Sequence, residues 1–222
     1  MRIDLLEKNK IKFTRREWLI GFSALLIILV SFVFPQDSYG EAFWLSLFLF
    51  AIFPAIIVVF LLKEPLKNFG LSWGNTRKGI IFSIPIIIVF IFANYYIVFH
   101  STYGGQLPVA PEILGNFTLF LIFEILIFLP LHFFWEYFFR GFLQLGLEKK
   151  LGFYSLPLAA VLQTALFFRG SWIAISLVFF SSLCAGIIVH QSRSILYSAL
   201  SLWIISVSLD IMIIRMIQQA AA

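Results

Sequence analysis

The chain is divided into long apolar blocks separated by short polar segments, most of the blocks near the length of about 20 residues that an α-helix needs to cross a hydrocarbon core of about 30 Å. This spacing restricts the fold more than any single motif does. No period-two alternation of the membrane-barrel type runs through the blocks, so the spans are expected to be helical. Composition agrees: 61% of the residues are hydrophobic and 12% charged, with a mean hydropathy of +0.99, where soluble proteins carry about 25% charged residues. The expectation is an all-α, polytopic integral membrane protein of about seven transmembrane helices, embedded in a lipid bilayer, with residues 1–222 as one membrane domain.

By length, the spans are expected over residues 18–34, 42–62, 79–99, 116–147, 153–168, 172–189 and 194–214. The first follows Arg2, Lys8, Lys10, Lys12, Arg15 and Arg16 and reads as a signal anchor, with no small-residue cleavage site behind it. Pro54 is expected to kink the second span. The fourth block is 32 residues long, about 48 Å as one helix. Pro130 is expected to break or kink it, and whether 116–129 forms an element separate from 131–147 stays open.

Lys and Arg concentrate on the cytoplasmic side of membrane proteins. Here the N-terminal segment, Lys63, Lys67, Arg77, Lys78, Lys149, Lys150 and Arg193 fall on one side of the expected topology, while Arg169 and Arg215 fall on the other. The N terminus is therefore expected inside, the C terminus outside, and the 100–115 loop outside. The net charge of +5 and pI of 9.4 are thereby explained as a topology signal, so nucleic acid is not an expected partner. The single Cys184 allows no internal disulfide. With only His100, His132 and His190, and no His-Glu-x-x-His, neither a metal site nor a cofactor is expected.

Within this frame, Leu131-His-Phe-Phe-Trp-Glu-Tyr-Phe-Phe-Arg-Gly141 sets a Glu and an Arg in an apolar run. On a helix His132, Glu136, Arg140 and Gln144 form one polar stripe, because residues four apart share a face. An ionisable residue at membrane depth marks a candidate functional site, and the expected partner of Glu136 is Arg140. A purely structural ion pair is the plain alternative. His132, one turn before Glu136, is expected to bond locally, with a role as a base for Glu136 as the alternative. Glu124, Arg169 and Asp210 fall toward the outer half, and Arg169 is expected to pair with one of the two acids. His190 is expected at a helix end, Trp18, Trp44, Trp73 and Trp172 at the interfaces, and the many Phe toward lipid.

Several stretches resemble one family. Trp-Glu-Tyr-Phe-Phe-Arg-Gly at 135–141 is similar to the Glu-Glu-x-x-x-Arg-Gly motif of the CPBP family, the CAAX prenyl endoproteases and bacteriocin-processing membrane proteins, with Glu136 matching the second Glu. Residues 162–171 resemble its Phe-x-x-x-His segment, with Phe167 kept and Ser171 at the His position. Residues 186–206 resemble its last motif, a Gly-rich helix, a turn at Ser192-Arg-Ser194, and a His-x-x-x-Asn helix whose two positions are held by Leu202 and Ser206. Residues 66–79, with Phe69-Gly-Leu-Ser-Trp, resemble the family's cytoplasmic loop, so the likeness covers most of the chain after residue 60.

The resemblance implies a CPBP-like helical bundle in a plasma membrane of bacterial type. It also implies intramembrane peptide hydrolysis, in which a Glu and a His activate water while His and Asn hold the oxyanion, with membrane peptides or prenylated proteins as substrates. Three departures oppose hydrolysis: Trp135 replaces the first Glu, Ser171 the water-activating His, and Leu202 with Ser206 the final pair. Glu136 and Arg140 persist. Counted along helices, Glu136, Ser171 and Ser206 are expected about 18, 21 and 19 Å from the cytoplasmic boundary, and so in one shared cavity. The expected function is a CPBP-like membrane protein impaired in catalysis. One alternative is a silent relative that binds a membrane peptide or protein in the same cavity; a weaker one is a small transporter.

Overall fold

A computed structural model describes residues 13–34, 38–101, 115–168 and 170–220. The basic residues Arg2, Lys8, Lys10 and Lys12, most of the 100–115 loop, and Arg169 lie outside them. The described residues form helices α1 (Arg15–Val33), α2 (Tyr39–Leu62), α3 (Thr76–His100), α4 (117–151), α5 (Ser155–Ala165), α6 (Trp172–Ser192) and α7 (Ile195–Ala220).

Six helices are long and apolar enough to cross a membrane, one fewer than the spacing predicts. The difference falls at the fifth block, which is counted with the fourth as one long stretch, Phe117–Ala165. It folds as an 11-residue helix, about 16 Å long, joined to α4 through a tight turn at Gly152–Tyr154.

Side chains start several of these helices. Ser38, Asn75, Asn116 and Ser171 accept the backbone N–H three residues on, from Glu41, Lys78, Leu119 and Ala174. Each satisfies a donor that the first helical turn leaves without a partner.

Pro130 does not break α4. The helix widens into a π-helical segment at Glu124–Phe128 just before the proline and continues as an α-helix over Leu129–Glu136. A proline removes one backbone donor and crowds the carbonyl four residues back. The wide turn sits where that relief is needed. Residues 116–129 and 131–147 therefore belong to one continuous element. In α2, Pro54 likewise lies between π segments at Leu47–Ile52 and Ile57–Leu62.

A second wide stretch, Tyr137–Leu145, occupies the middle of the bundle and is buried on every side. Phe138, Phe139 and Phe142 are wholly enclosed there, together with Phe50 of α2 and Phe69 of the loop after it. The ring centroids of Phe50 and Phe138 are 5.0 Å apart, and those of Phe138 and Phe139 4.8 Å. These five Phe are core, contrary to the expectation that the Phe face lipid. Phe22, Phe60, Phe92 and Phe117 do lie on the outside. So do Trp18, Trp44, Trp73 and Trp172.

The basic segments gather at one end of the bundle. Arg16 Nε donates to Glu64 Oε1 at 2.5 Å and Arg16 Nη1 to the Gly146 carbonyl at 2.5 Å. Glu148 pairs with Arg193 and with His190, whose Nδ1 lies 2.6 Å from Oε1. The Asn75 N–H donates to the Ser192 carbonyl, and that of Ile195 to Gly70. These contacts tie the residue 63–78, 146–150 and 190–195 segments into one cap beside Arg16.

Candidate functional site

Glu136 stands where α4 passes from its α-helical turn into the wide segment that follows, and it is completely buried with Arg140. Arg140 Nε lies 3.8 Å from Glu136 Oε2. That is ion-pair distance without a hydrogen bond. Instead Arg140 Nη2 donates to Gln163 Oε1 of α5 at 2.6 Å and to Ser182 Oγ of α6 at 2.5 Å, while Ser182 Oγ donates to Gln163 Oε1 at 2.9 Å. The guanidinium thus joins three helices at the centre of the bundle. Gln144, the last member of the polar stripe, donates to the Gly186 carbonyl of α6 at 2.9 Å.

Both carboxylate oxygens of Glu136 have no hydrogen-bond donor among the described residues. The Ser198 hydroxyl lies beside the carboxylate but donates to the Ile195 carbonyl at 3.0 Å. A buried acceptor without a donor is rare in a folded protein and calls for an explanation. Glu136 belongs to the wall of a cavity of about 530 Å³, with its carboxylate oxygens closed off from that space.

His132, Trp135, Leu202 and Ser206 line the same cavity, with Asn94, Gln163, Phe167 and Asp210. The Trp135 indole donates to Ser46 Oγ of α2 at 3.2 Å, so the residue at the first Glu position packs and bonds laterally. His132 makes no local hydrogen bond among the described residues, contrary to expectation. Its ring faces the cavity one turn from Glu136. His190 does sit in the last turn of α6, and its ring contacts Glu148 there.

Ser171 is the misplaced prediction. Its side chain caps α6 at an exposed position, outside the cavity lining. The depth count assumed a helix running through residue 171. The helix instead ends at Ala165 and gives way to turns, so Phe167 reaches the cavity and Ser171 does not.

Searches against protein-family models, curated proteins and solved structures return no match. The site is therefore read from its own geometry.

Three features escaped the reading of the sequence. Asn94 of α3 is buried and donates through Nδ2 to the Ile205 carbonyl of α7 at 3.1 Å, which joins α3 to α7 along the cavity wall. A lone Asn inside an apolar span was the signal for it. Gln163 and Ser182 gave the same signal. The acids Glu124 and Asp210 lie near each other, and the Trp203 indole donates to Glu124 Oε2 at 3.1 Å, while Glu124 Oε1 has no hydrogen-bond partner among the described residues. The expected partner, Arg169, lies outside the described residues.

Proposed function

We propose that this protein is a diverged, non-hydrolysing relative of the CPBP membrane endopeptidases that binds a membrane peptide segment in the cavity beside Glu136. The observation that carries the reading is the composition of the cavity wall: Leu202 and Ser206 line it at two of the matched positions, Glu136 lies buried in it, and Ser171 is excluded. Hydrolysis by the family scheme needs an imidazole beside the Glu and donors for an oxyanion. Leucine supplies neither, and Ser206 alone offers one hydroxyl. Binding asks less of the same wall. A cavity of about 530 Å³ falls in the range of about 300–1,000 Å³ typical of ligand pockets. Phe90, Phe128, Leu131, Leu177 and Leu209 supply apolar lining, and His132, Ser206 and Asp210 supply polar groups.

The test is photo-crosslinking in bilayers from p-benzoylphenylalanine placed at Leu202 or Ser206, with a control at lipid-facing Phe92. Apolar peptides should label the cavity positions and be displaced by unlabelled peptide. Equal, non-displaceable labelling at Phe92 would remove the reading.

One observation favours a second reading. His132 and Glu136 line the cavity together, one helical turn apart. In that reading His132 is the base of a slow hydrolase, and any Glu136-dependent cleavage would vanish in His132→Gln as well.

A further inference from the structure

A second hollow lies on the outside of the bundle, at the end where the basic segments gather. It is a groove of about 300 Å³, with Trp18, Gly21, Phe22 and Leu25 of α1 on one side and Leu147 of α4 and Leu158 of α5 on the other. Two glycines shape it. Gly146 lets the end of α4 approach α1, where a Cβ would stand 3.2 Å from Ile20 Cδ1, and Gly21 leaves the notch itself open, since a Cβ there meets nothing within 4 Å.

Basic groups stand at the mouth of this apolar trough. Arg15, Trp18, Phe22 and Leu25 recur at helical spacing and share one face of α1. Arg15 is exposed, and Trp18 and Phe22 are about two-thirds exposed. Across the groove, Lys150 is three residues beyond Leu147 and adjacent to Leu151, which also lines the trough, so it lies on their side of α4. Among the described residues the side chains of Arg15 and Lys150 have no ion-pair or hydrogen-bond partner. Glu17 is the one acid in the lining, and it is already engaged: the Thr14 N–H donates to its Oε2 at 2.8 Å, and Arg16 Nη1 lies 3.8 Å from its Oε1.

Two unpaired cations thus sit above a hydrocarbon trough, beside a Trp of the kind that marks the membrane interface. From Trp18 to Leu25 the trough runs about 10 Å at helical rise. Basic side chains at a membrane surface attract anionic lipid headgroups. We infer that this groove binds one anionic phospholipid, with its phosphate held between Arg15 and Lys150 and one acyl chain laid over Gly21. The lipid bridges α1 to the end of α4 beside the basic cap. This site shares no lining residue with the cavity beside Glu136 and is independent of what that cavity binds.

The experiment is native mass spectrometry of the purified full chain in neutral detergent, titrated with dioctanoyl phosphatidylglycerol, dioctanoyl phosphatidylcholine or glycerol phosphate. Phosphatidylglycerol should saturate at one high-affinity molecule per chain and bind about 25-fold more tightly than phosphatidylcholine, from two basic side chains at about fivefold each. Glycerol phosphate should not compete. Arg15→Gln combined with Lys150→Gln should erase the preference and leave phosphatidylcholine binding unchanged. Gly21→Leu, which builds into open space, should weaken both lipids. Equal affinity for the two lipids in the unaltered protein would overturn the inference, as would a preference that survives the double variant or binding unchanged by Gly21→Leu. Competition by glycerol phosphate would reduce the site to one for a free anion. Lipid binding that appears only after removal of residues 1–12 would assign the groove to the chain's own N-terminal segment and overturn the inference as well.

Discussion

Arg140 lies one turn beyond Glu136, with Nε 3.8 Å from Oε2, yet the only hydrogen bonds its guanidinium makes among the described residues are to Gln163 and Ser182. The carboxylate is left buried in the cavity wall with charge compensation but, among the described residues, no hydrogen-bond donor.

This arrangement predicts an asymmetric double-mutant cycle. Arg140→Leu leaves a lone buried carboxylate and should destabilise the protein by about 3–5 kcal/mol. Adding Glu136→Leu should restore part of that loss, because the uncompensated charge is gone while Gln163 and Ser182 still bond to each other. Thermal unfolding in detergent reads the cycle. Absence of any rescue would mean the two charges are not coupled.

Backbone approach at Gly141 gives a second prediction. A Cβ there would stand 2.4 Å from the Phe69 carbonyl oxygen, so the loop after α2 lies against α4 only because residue 141 has no side chain. Gly141→Ala should cost about 1–3 kcal/mol, the range for overpacking a close contact. At Gly74, with φ +53° and a built Cβ 2.1 Å from the Ser192 carbonyl oxygen, alanine should be at least as damaging. An unchanged melting temperature in either variant would show that the capping loop gives way.

Much of the fold was legible in the apolar spacing, because the hydrocarbon core imposes a length on every crossing helix. The fifth block misled because an apolar run of 16 residues is compatible with a span, and nothing in it announces that only Ser155–Ala165 is helical. Pro130 misled because proline is read as a breaker, while a wide turn just ahead of it removes the clash. At the site, Glu136 and Arg140 stood out as charges among Phe residues. Ser171 was misplaced because matching by residue count carries no information on where a helix ends. Gln163, Ser182 and Asn94 were missed because a single neutral polar residue shows its partner only once the helices are packed.

Acid should weaken the cap formed by the basic segments. The Arg16 guanidinium, hydrogen-bonded to Glu64, holds the Glu64 carboxyl below its ordinary value of 4.5. A carboxyl depressed by folding contributes stability that is fully present above the unfolded value and lost as pH falls through the folded one. The melting temperature should therefore fall as pH drops below about 4.5, and Glu64→Gln should lessen that fall while lowering stability at neutral pH. A pH profile unchanged by Glu64→Gln would dismiss the contribution.

Orientation follows from the clustering of basic segments at one end. A reporter fused after Lys150 should report the cytoplasm, and one placed in the 100–115 loop the outside. The reverse pattern would invert the assignment.

Restoring the family residue at position 171 should not restore chemistry. Ser171→His removes the side chain that accepts the Ala174 N–H and should cost about 0.5–2 kcal/mol of stability. Its imidazole would start from the exposed cap of α6, away from Glu136. Gain of peptide cleavage in this variant would show that the segment can fold into the cavity.

The central claim is that Glu136 serves binding and not hydrolysis. Loss of the general base is worth about 10² to 10⁴ in rate, and loss of oxyanion donors about 10² to 10³ more. The most direct measurement is cleavage of a panel of membrane peptides by the purified protein in bilayers, side by side with Glu136→Gln. The account predicts that the two proteins are indistinguishable and that neither releases product above background. Turnover by the unaltered protein that disappears in Glu136→Gln would contradict it.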